Sequence, residues 1–278
     1  MKQVSLTARG HDFTTVATIQ ELAELASDSG IKTVQLALGL SFPTLPTSQA
    51  AINPGMGNYF KQQFAQKDVT IGILSCYINM IHPDLTIREE NLMKFEQYVA
   101  MAHSFGANMV ATETGNVYPE IHYTPDNFTE AAFDEMVQVI KRLVKAGERH
   151  QTIIGIEPGV NHPLHSLEKV ERLIKAVDSP YLGIILDPTN LIDASNYQEQ
   201  VAMVETAFDK FGEQIVGFHL KDYLVNDQEI VPTALGEGVM DYQAIIQIIE
   251  QRKPYLFVVL EETKDEKLRV AVEKIHQA

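Results

Sequence analysis

Ile153-Ile154-Gly155-Ile156-Glu157 and, 30 residues on, Gly183-Ile184-Ile185-Leu186-Asp187 decide how this chain folds. Each is a short apolar run that reads as a strand buried on both faces, and each ends on a carboxylate. Leu167 to Val177, between them, has the period of an amphipathic helix, so residues 153–188 form one βαβ unit with parallel strands. Parallel strands deliver both acids to the same end.

The same alternation runs outward in both directions. Strands are expected at Val4–Thr7, Thr33–Leu38, Thr70–Tyr77 and Ala107–Ala111, with helices at Ile19–Ser27, Arg88–His103 and Asp126–Arg149. Downstream come a helix at Tyr197–Phe211, a strand at Ile215–Leu220, a helix at Tyr242–Arg252, a strand at Leu256–Leu260 and a last helix reaching Ile275. The Pro- and Gly-rich stretch Ser41 to Gly57 is expected to be an irregular lid or rim loop. Eight strands, each followed by a helix, in a chain near the ~250 residues typical of that fold predict a single (β/α)8 TIM barrel. No linker or low-complexity segment interrupts the sequence, so residues 1–278 are expected to form one domain.

Composition narrows the partners. The formal net charge is −15, from 22 basic and 37 acidic residues, and neutralising phosphates needs clustered Lys and Arg. A nucleic-acid partner or an acidic membrane surface is therefore not expected. The lone Cys76 cannot close an internal disulfide, and the first residues carry no export signal. No apolar run approaches the ~18 residues of a membrane span. A cytoplasmic location is the expectation.

Equivalent strand tips should recur about every 31 residues if roughly 250 residues are shared among eight units. Glu157, Asp187 and His219 recur at intervals of 30 and 32, and Glu261 ends the strand Leu256–Leu260 one longer unit later. One acid at a strand tip is ordinarily a helix cap or a rim residue. Four candidate ligands at successive strand ends, where barrel sites lie, point instead to one divalent ion. An oxygen and imidazole set suits Mn²⁺, Mg²⁺, Co²⁺ or Zn²⁺ rather than a thiolate-seeking metal. Glu262 directly follows Glu261, and strand alternation lets only one of the two face inward; the choice between them stays open at this level.

Ile156-Glu157-Pro158, Leu186-Asp187-Pro188, Phe218-His219-Leu220-Lys221-Asp222, Leu235-Gly236-Glu237-Gly238 and Leu260-Glu261-Glu262-Thr263 together resemble the motifs of the xylose isomerase-like barrel superfamily. They are most similar to its sugar phosphate isomerase/epimerase group, of the ketose 3-epimerase and inosose isomerase type. The resemblance implies a single-metal site on Glu157, Asp187, His219 and Glu261, with Glu157 and Glu261 doubling as acid and base on opposite faces of the substrate. It also implies a homodimer or homotetramer. The DNA-repair branch of the superfamily needs further metal ligands, and this chain has Ile73, Glu113, Asn190 and the Val231-Pro232 region where that branch carries them. Asn190 also departs from epimerases that place a substrate-binding histidine there.

The chemistry implied is proton abstraction beside a carbonyl. A proton on that carbon is too weakly acidic for an unaided carboxylate, and a metal chelated by the carbonyl and its neighbouring hydroxyl stabilises the enediolate. A divalent-metal-dependent isomerase or epimerase of a small sugar or polyol is the expectation. A keto-sugar or inosose dehydratase on the same site is the alternative; a non-catalytic binding protein and a metal nuclease rank below both. Substrate contacts are expected from His162, Lys221, Asn190, His82 and Glu113, with His11, Asn79 and His165 as further candidates, and Asp222 as a partner of Lys221. The 235–238 turn offers backbone amides to a phosphate.

Overall fold

The computed structural model describes residues 4–227 and 229–277. In chain order the elements are β1 (Ser5–Arg9), α1 (Ile19–Asp28), β2 (Thr33–Ala37), α2 (Leu38–Ser41), α3 (Pro54–Ala65), β3 (Thr70–Ser75), α4 (Leu85–Phe105), β4 (Met109–Glu113) and α5 (Glu130–His150). There follow β5 (Ile153–Glu157), α6 (Leu167–Val177), β6 (Leu182–Leu186), α7 (Gln200–Phe211), β7 (Ile215–Leu220), β8 (Asp222–Asn226), β9 (Glu229–Thr233), α8 (Tyr242–Arg252), β10 (Phe257–Leu260) and α9 (Glu266–Gln277). Eight parallel strands close in the order β1-β10-β7-β6-β5-β4-β3-β2, with helices outside: a single (β/α)8 TIM barrel.

Strand alternation fills this barrel and polarises it. Ile73, Met109, Ala111, Ile185 and Val259 pack together with Ile153, Val216 and Phe257 as an interior plug separate from the larger core under the helices. The next inward positions toward the strand ends are Glu113, Glu157, Asp187, His219 and Glu261, two residues beyond Ala111, Gly155, Ile185, Gly217 and Val259. A dry plug with a polar layer above it is thus written into the period of two. Register aligns the layer, pairing Glu113 with Glu157 and Arg9 with Gln35.

Several boundaries differ from the sequence expectation for identifiable reasons. Pro54, Gly55 and Gly57 read as loop, but Pro54 occupies the first turn of α3, where its missing N–H costs nothing, and Asn53 caps Met56 N at 3.1 Å. Gly57 lies inside this helix because a Cβ there would crowd Ser104 of α4. Strand β4 starts and ends two residues later than expected, which brings Glu113 into the strand. The helix expected from Asp126 is a 3-10 turn, Pro125–Phe128, followed by α5 capped at Thr129. The helix expected from Tyr197 is likewise a 3-10 turn, Tyr197–Glu199, leading into α7. The antiparallel hairpin β8–β9 was not expected at all. No described helix is long and apolar enough to cross a membrane.

Candidate metal centre

Glu157, Asp187, His219 and Glu261 each offer a ligand atom, and these atoms lie within 4.8 Å of one another. All four side chains are buried at the C-terminal mouth of the barrel. His219 is oriented from behind: its Nε2 donates to Gln35 Oε1 at 2.9 Å, which turns Nδ1 toward the carboxylates. Nδ1 then sits 2.8 Å from Glu261 Oε2 and 3.3 Å from Glu157 Oε1, neither of them a well-aligned hydrogen bond.

Three buried atoms of the cluster have no hydrogen-bond partner: His219 Nδ1, Asp187 Oδ2 and Glu261 Oε2. Buried polar atoms are rarely left so, and three converging orphans of carboxylate and imidazole type fit a hard or borderline divalent cation. The rest of each carboxylate is held. Asp187 Oδ1 accepts from Thr189 N at 2.8 Å, Glu157 Oε1 accepts from Asn190 Nδ2 at 2.7 Å, and Glu261 Oε1 accepts from Arg9 Nη1 at 2.7 Å and Lys221 Nζ at 3.2 Å. Lys221 Nζ also donates to Asn190 Oδ1 at 2.8 Å and stands 2.9 Å from Asp187 Oδ2 as an ion pair.

Without a cation these charges answer one another. Burial pulls the His219 imidazolium down, but Glu157 and Glu261 outweigh it and push the group up to about 10. Burial raises Glu157 and Asp187 above the usual carboxylate range, against the pull of His219 and Lys221 respectively. Burial also works on Glu261, but Lys221, His219 and Arg9 overcome it and hold the carboxyl well below that range. Lys221 is raised, its desolvation outweighed by Asp187 and Glu261.

Beside the cluster opens a cleft of about 220 Å³ whose lining includes Glu113, His162, Thr189, Asn190 and, from the β8–β9 hairpin, Ile230 and Pro232. Thr189 and Asn190 belong to both cleft and cluster. A larger groove of about 620 Å³ lies in the helical layer along α5 and contains none of the ligand residues.

Of the other sequence candidates, the structure brings Glu113, His162, Asn190 and Lys221 to this mouth. His82 is elsewhere: its Nδ1 accepts from Asp84 N at 3.1 Å, bracing the entry to α4. Asn79 ties loops together through Tyr118 O and Asn116 N, and His165 stacks on Phe128 with 4.1 Å between ring centroids. His11 stands on the Arg9 side, pushed down to about 4 by burial and then by that guanidinium. Asp222 does not pair with Lys221; it accepts from the backbone N–H of Tyr223, Gly236, Gly238 and Met240 at 2.8–2.9 Å. The amides that sequence offered to a phosphate are thereby taken. Gly238 is required there, since a Cβ would collide with Tyr223 O and Asp222 Oδ1. Glu262, at φ +54°, leaves the inward row and pairs with Arg9 and Lys264.

Sequence reading missed Arg9 and Gln35. Arg9 holds Asp12, Glu261 and Glu262 together, and its place one residue beyond the Ala8–Leu260 register pair brings it level with Glu261. Gln35 was a polar residue inside an otherwise apolar strand, which was the available signal.

A parallel barrel with its buried polar cluster at the strand C-termini belongs to the large class whose sites are built from strand ends. The chain belongs to the xylose isomerase-like TIM barrel family, whose model matches residues 23–277. It is 26% identical over 134 residues to a 3-oxo-isoapionate decarboxylase of Pectobacterium atrosepticum, covering 46% of each chain. It is 24% identical over 180 residues to a probable L-ribulose-5-phosphate 3-epimerase, UlaE, of Mycoplasma pneumoniae, covering 63% of this chain and 53% of that protein. The match thus spans about half the length of these curated relatives. Among solved structures, a xylose isomerase-like barrel from Mycobacterium smegmatis in complex with magnesium superposes with a TM-score of 0.72 at 16% identity, covering 99% of this chain and 96% of that one.

Proposed function

We propose that the protein is a divalent-metal-dependent isomerase or epimerase of a small sugar or cyclitol. The observation that supports this reading is the convergence of three buried atoms that have charged neighbours but no aligned hydrogen bond among the described residues, His219 Nδ1, Asp187 Oδ2 and Glu261 Oε2, within a set of four candidate ligands. Glu157, Asp187, His219 and Glu261 would hold the ion. When bound, it supplies Lewis acidity that makes the hydrogen beside a substrate carbonyl removable near neutral pH.

The chain's own groups divide the remaining work. Glu157 has one side-chain hydrogen bond, from the amide of Asn190 on the cleft wall, whereas Glu261 is gripped by both Arg9 and Lys221. Glu157 is therefore the carboxylate better placed to take the proton from carbon. Epimerisation needs a second proton delivered to the opposite face, which Glu261, across His219, supplies only after taking one up; return of the abstracted proton by Glu157 to the neighbouring carbon gives isomerisation. Lys221 balances the excess negative charge and lies where developing enediolate charge needs a cation. Asn190 bridges Glu157 and Lys221, coupling the position of the base to that of the cation.

A lyase is the second reading, favoured by the similarity to a 3-oxo acid decarboxylase, because that reaction also leaves electron density beside a carbonyl. Incubating the Mn²⁺-loaded protein in D₂O with a panel of ketoses and inososes tests the proposal. Deuterium should enter the carbon next to the carbonyl, and Glu157→Gln should stop its entry while leaving the fold intact. Undiminished incorporation in that variant would refute the assignment; a product absorbing as an unsaturated ketone would select a dehydrating lyase, and CO₂ released from a 3-oxo acid added to the panel a decarboxylating one.

A further inference from the structure

His162 is fixed by its Nδ1–H, which donates to Gly115 O at 2.8 Å, so that Nε2 faces Glu113 Oε1 at 3.4 Å on the cleft wall. Gly115, at φ +82°, is forced by the fold: a Cβ there would strike Asn79 Oδ1, and only this backbone path presents its carbonyl to the imidazole. His162 is buried, whereas the Glu113 side chain is 36% exposed. The pair offers one donor edge and one acceptor edge side by side. Because Nδ1–H is committed to Gly115 O, an Nε2–H exists only in the imidazolium that Glu113 neutralises; a hydroxyl satisfies this ion pair at both edges, accepting from Nε2–H and donating to the carboxylate, whereas a phosphate oxygen has no hydrogen to give Glu113.

The positive groups that would welcome a phosphate are already paired, the His162 imidazolium with Glu113 on the cleft wall and the others elsewhere. Among the described residues lining the cleft there is no Lys or Arg. Lys221 is held by Asp187, Glu261 and Asn190, and Arg9 by Asp12, Glu261 and Glu262. The glycine turn that might have cradled an anion is filled by Asp222, and Thr189 N is taken by Asp187. We propose that the His162–Glu113 pair reads a hydroxyl of a neutral polyhydroxylated carbonyl compound and excludes its phosphate ester. This rests on the functional reading above for what lies at the metal, and it sets the chain apart from the probable L-ribulose-5-phosphate 3-epimerase to which it is similar.

The test is isothermal titration calorimetry of the Mn²⁺-loaded protein with matched pairs: ribulose against ribulose 5-phosphate, and fructose against fructose 6-phosphate. At least one neutral member should bind about tenfold more tightly than its ester, the discrimination expected when a dianion must take over the one positive partner of a neighbouring carboxylate. Glu113→Gln should narrow that ratio by weakening the neutral ligand and relieving the ester, and Glu113→Asp should restore part of it. Equal or tighter binding of the esters, no binding by any neutral member, or a ratio unmoved by Glu113→Gln would overturn the proposal. Failure of the proton-abstraction reading shows separately, as absent deuterium entry with every ligand, while the calorimetric ratio is unaffected by whether turnover occurs.

Discussion

Asp187 and Asp222 are both fully buried just past a barrel strand, Asp187 directly after β6 and Asp222 two residues beyond β7, yet they stand in opposite electrostatic conditions. Asp222 receives four backbone amides, which satisfy both oxygens and stitch the loop after the hairpin to the end of β7. Asp187 receives one amide on Oδ1 and leaves Oδ2 without an aligned donor, facing His219, Lys221 and Glu261. The first is a finished structural charge and the second an unfinished one. Burial alone does not separate a structural acid from a candidate ligand; the tally of satisfied lone pairs does.

The comparison can be broken most forcefully from the unfinished side. Glu157→Gln should lower deuterium exchange about 10²- to 10⁴-fold, the usual range for a general base, as followed by NMR of the substrate. Asp222→Ala, on the finished side, should cost about 3 kcal/mol in urea unfolding because several amides lose their acceptor. Asp187→Asn keeps the Thr189 bond and relieves repulsion from Glu261 but removes the charge paired with Lys221, so it should cost about 2 kcal/mol, less than Asp222→Ala, while abolishing stoichiometric metal. If the two aspartates exchanged these phenotypes, the distinction would collapse.

A pH series sharpens the same contrast. In the metal-free chain His219 holds its proton up to about 10, above its unfolded value near 6.5. Its contribution to stability is therefore fully present below about pH 6.5 and is lost as pH rises toward 10. Because a metal competes with that proton, Mn²⁺ affinity should rise by up to about tenfold per pH unit over this window. Metal-loaded protein should lack the alkaline loss, as thermal melts at pH 7 and 9 would show. The smallest effect is expected from Glu262→Gln. Its pairs with Arg9 and Lys264 are partly exposed, so about 1 kcal/mol or less of stability and no metal should be lost.

The fold was legible because βα alternation is local: helix α6, helix α8 and strand β7 occur at the residues the apolar pattern marks. Helix α3 was hidden by its own start signal, a Pro followed by two glycines, of which Gly57 allows close packing against α4. The cluster of four was legible because strand tips recur at the unit length. Its supporting residues were not, since the Arg9–Glu261 bond joins positions 252 apart and exists only once the barrel closes. Asp222 shows the converse failure. The Gly-rich turn offered amides, but a sequence does not say which acid will arrive to occupy them.

If His219 Nδ1, Asp187 Oδ2 and Glu261 Oε2 hold an ion that enables proton abstraction, turnover must depend on that ion. Deuterium exchange in D₂O, measured on one preparation before chelation, after chelation and after restoring Mn²⁺, tests it most directly. Exchange should vanish with the metal and return with it, at one ion per chain. Exchange that persists in chelated protein, or full metal content in Asp187→Asn, would contradict it.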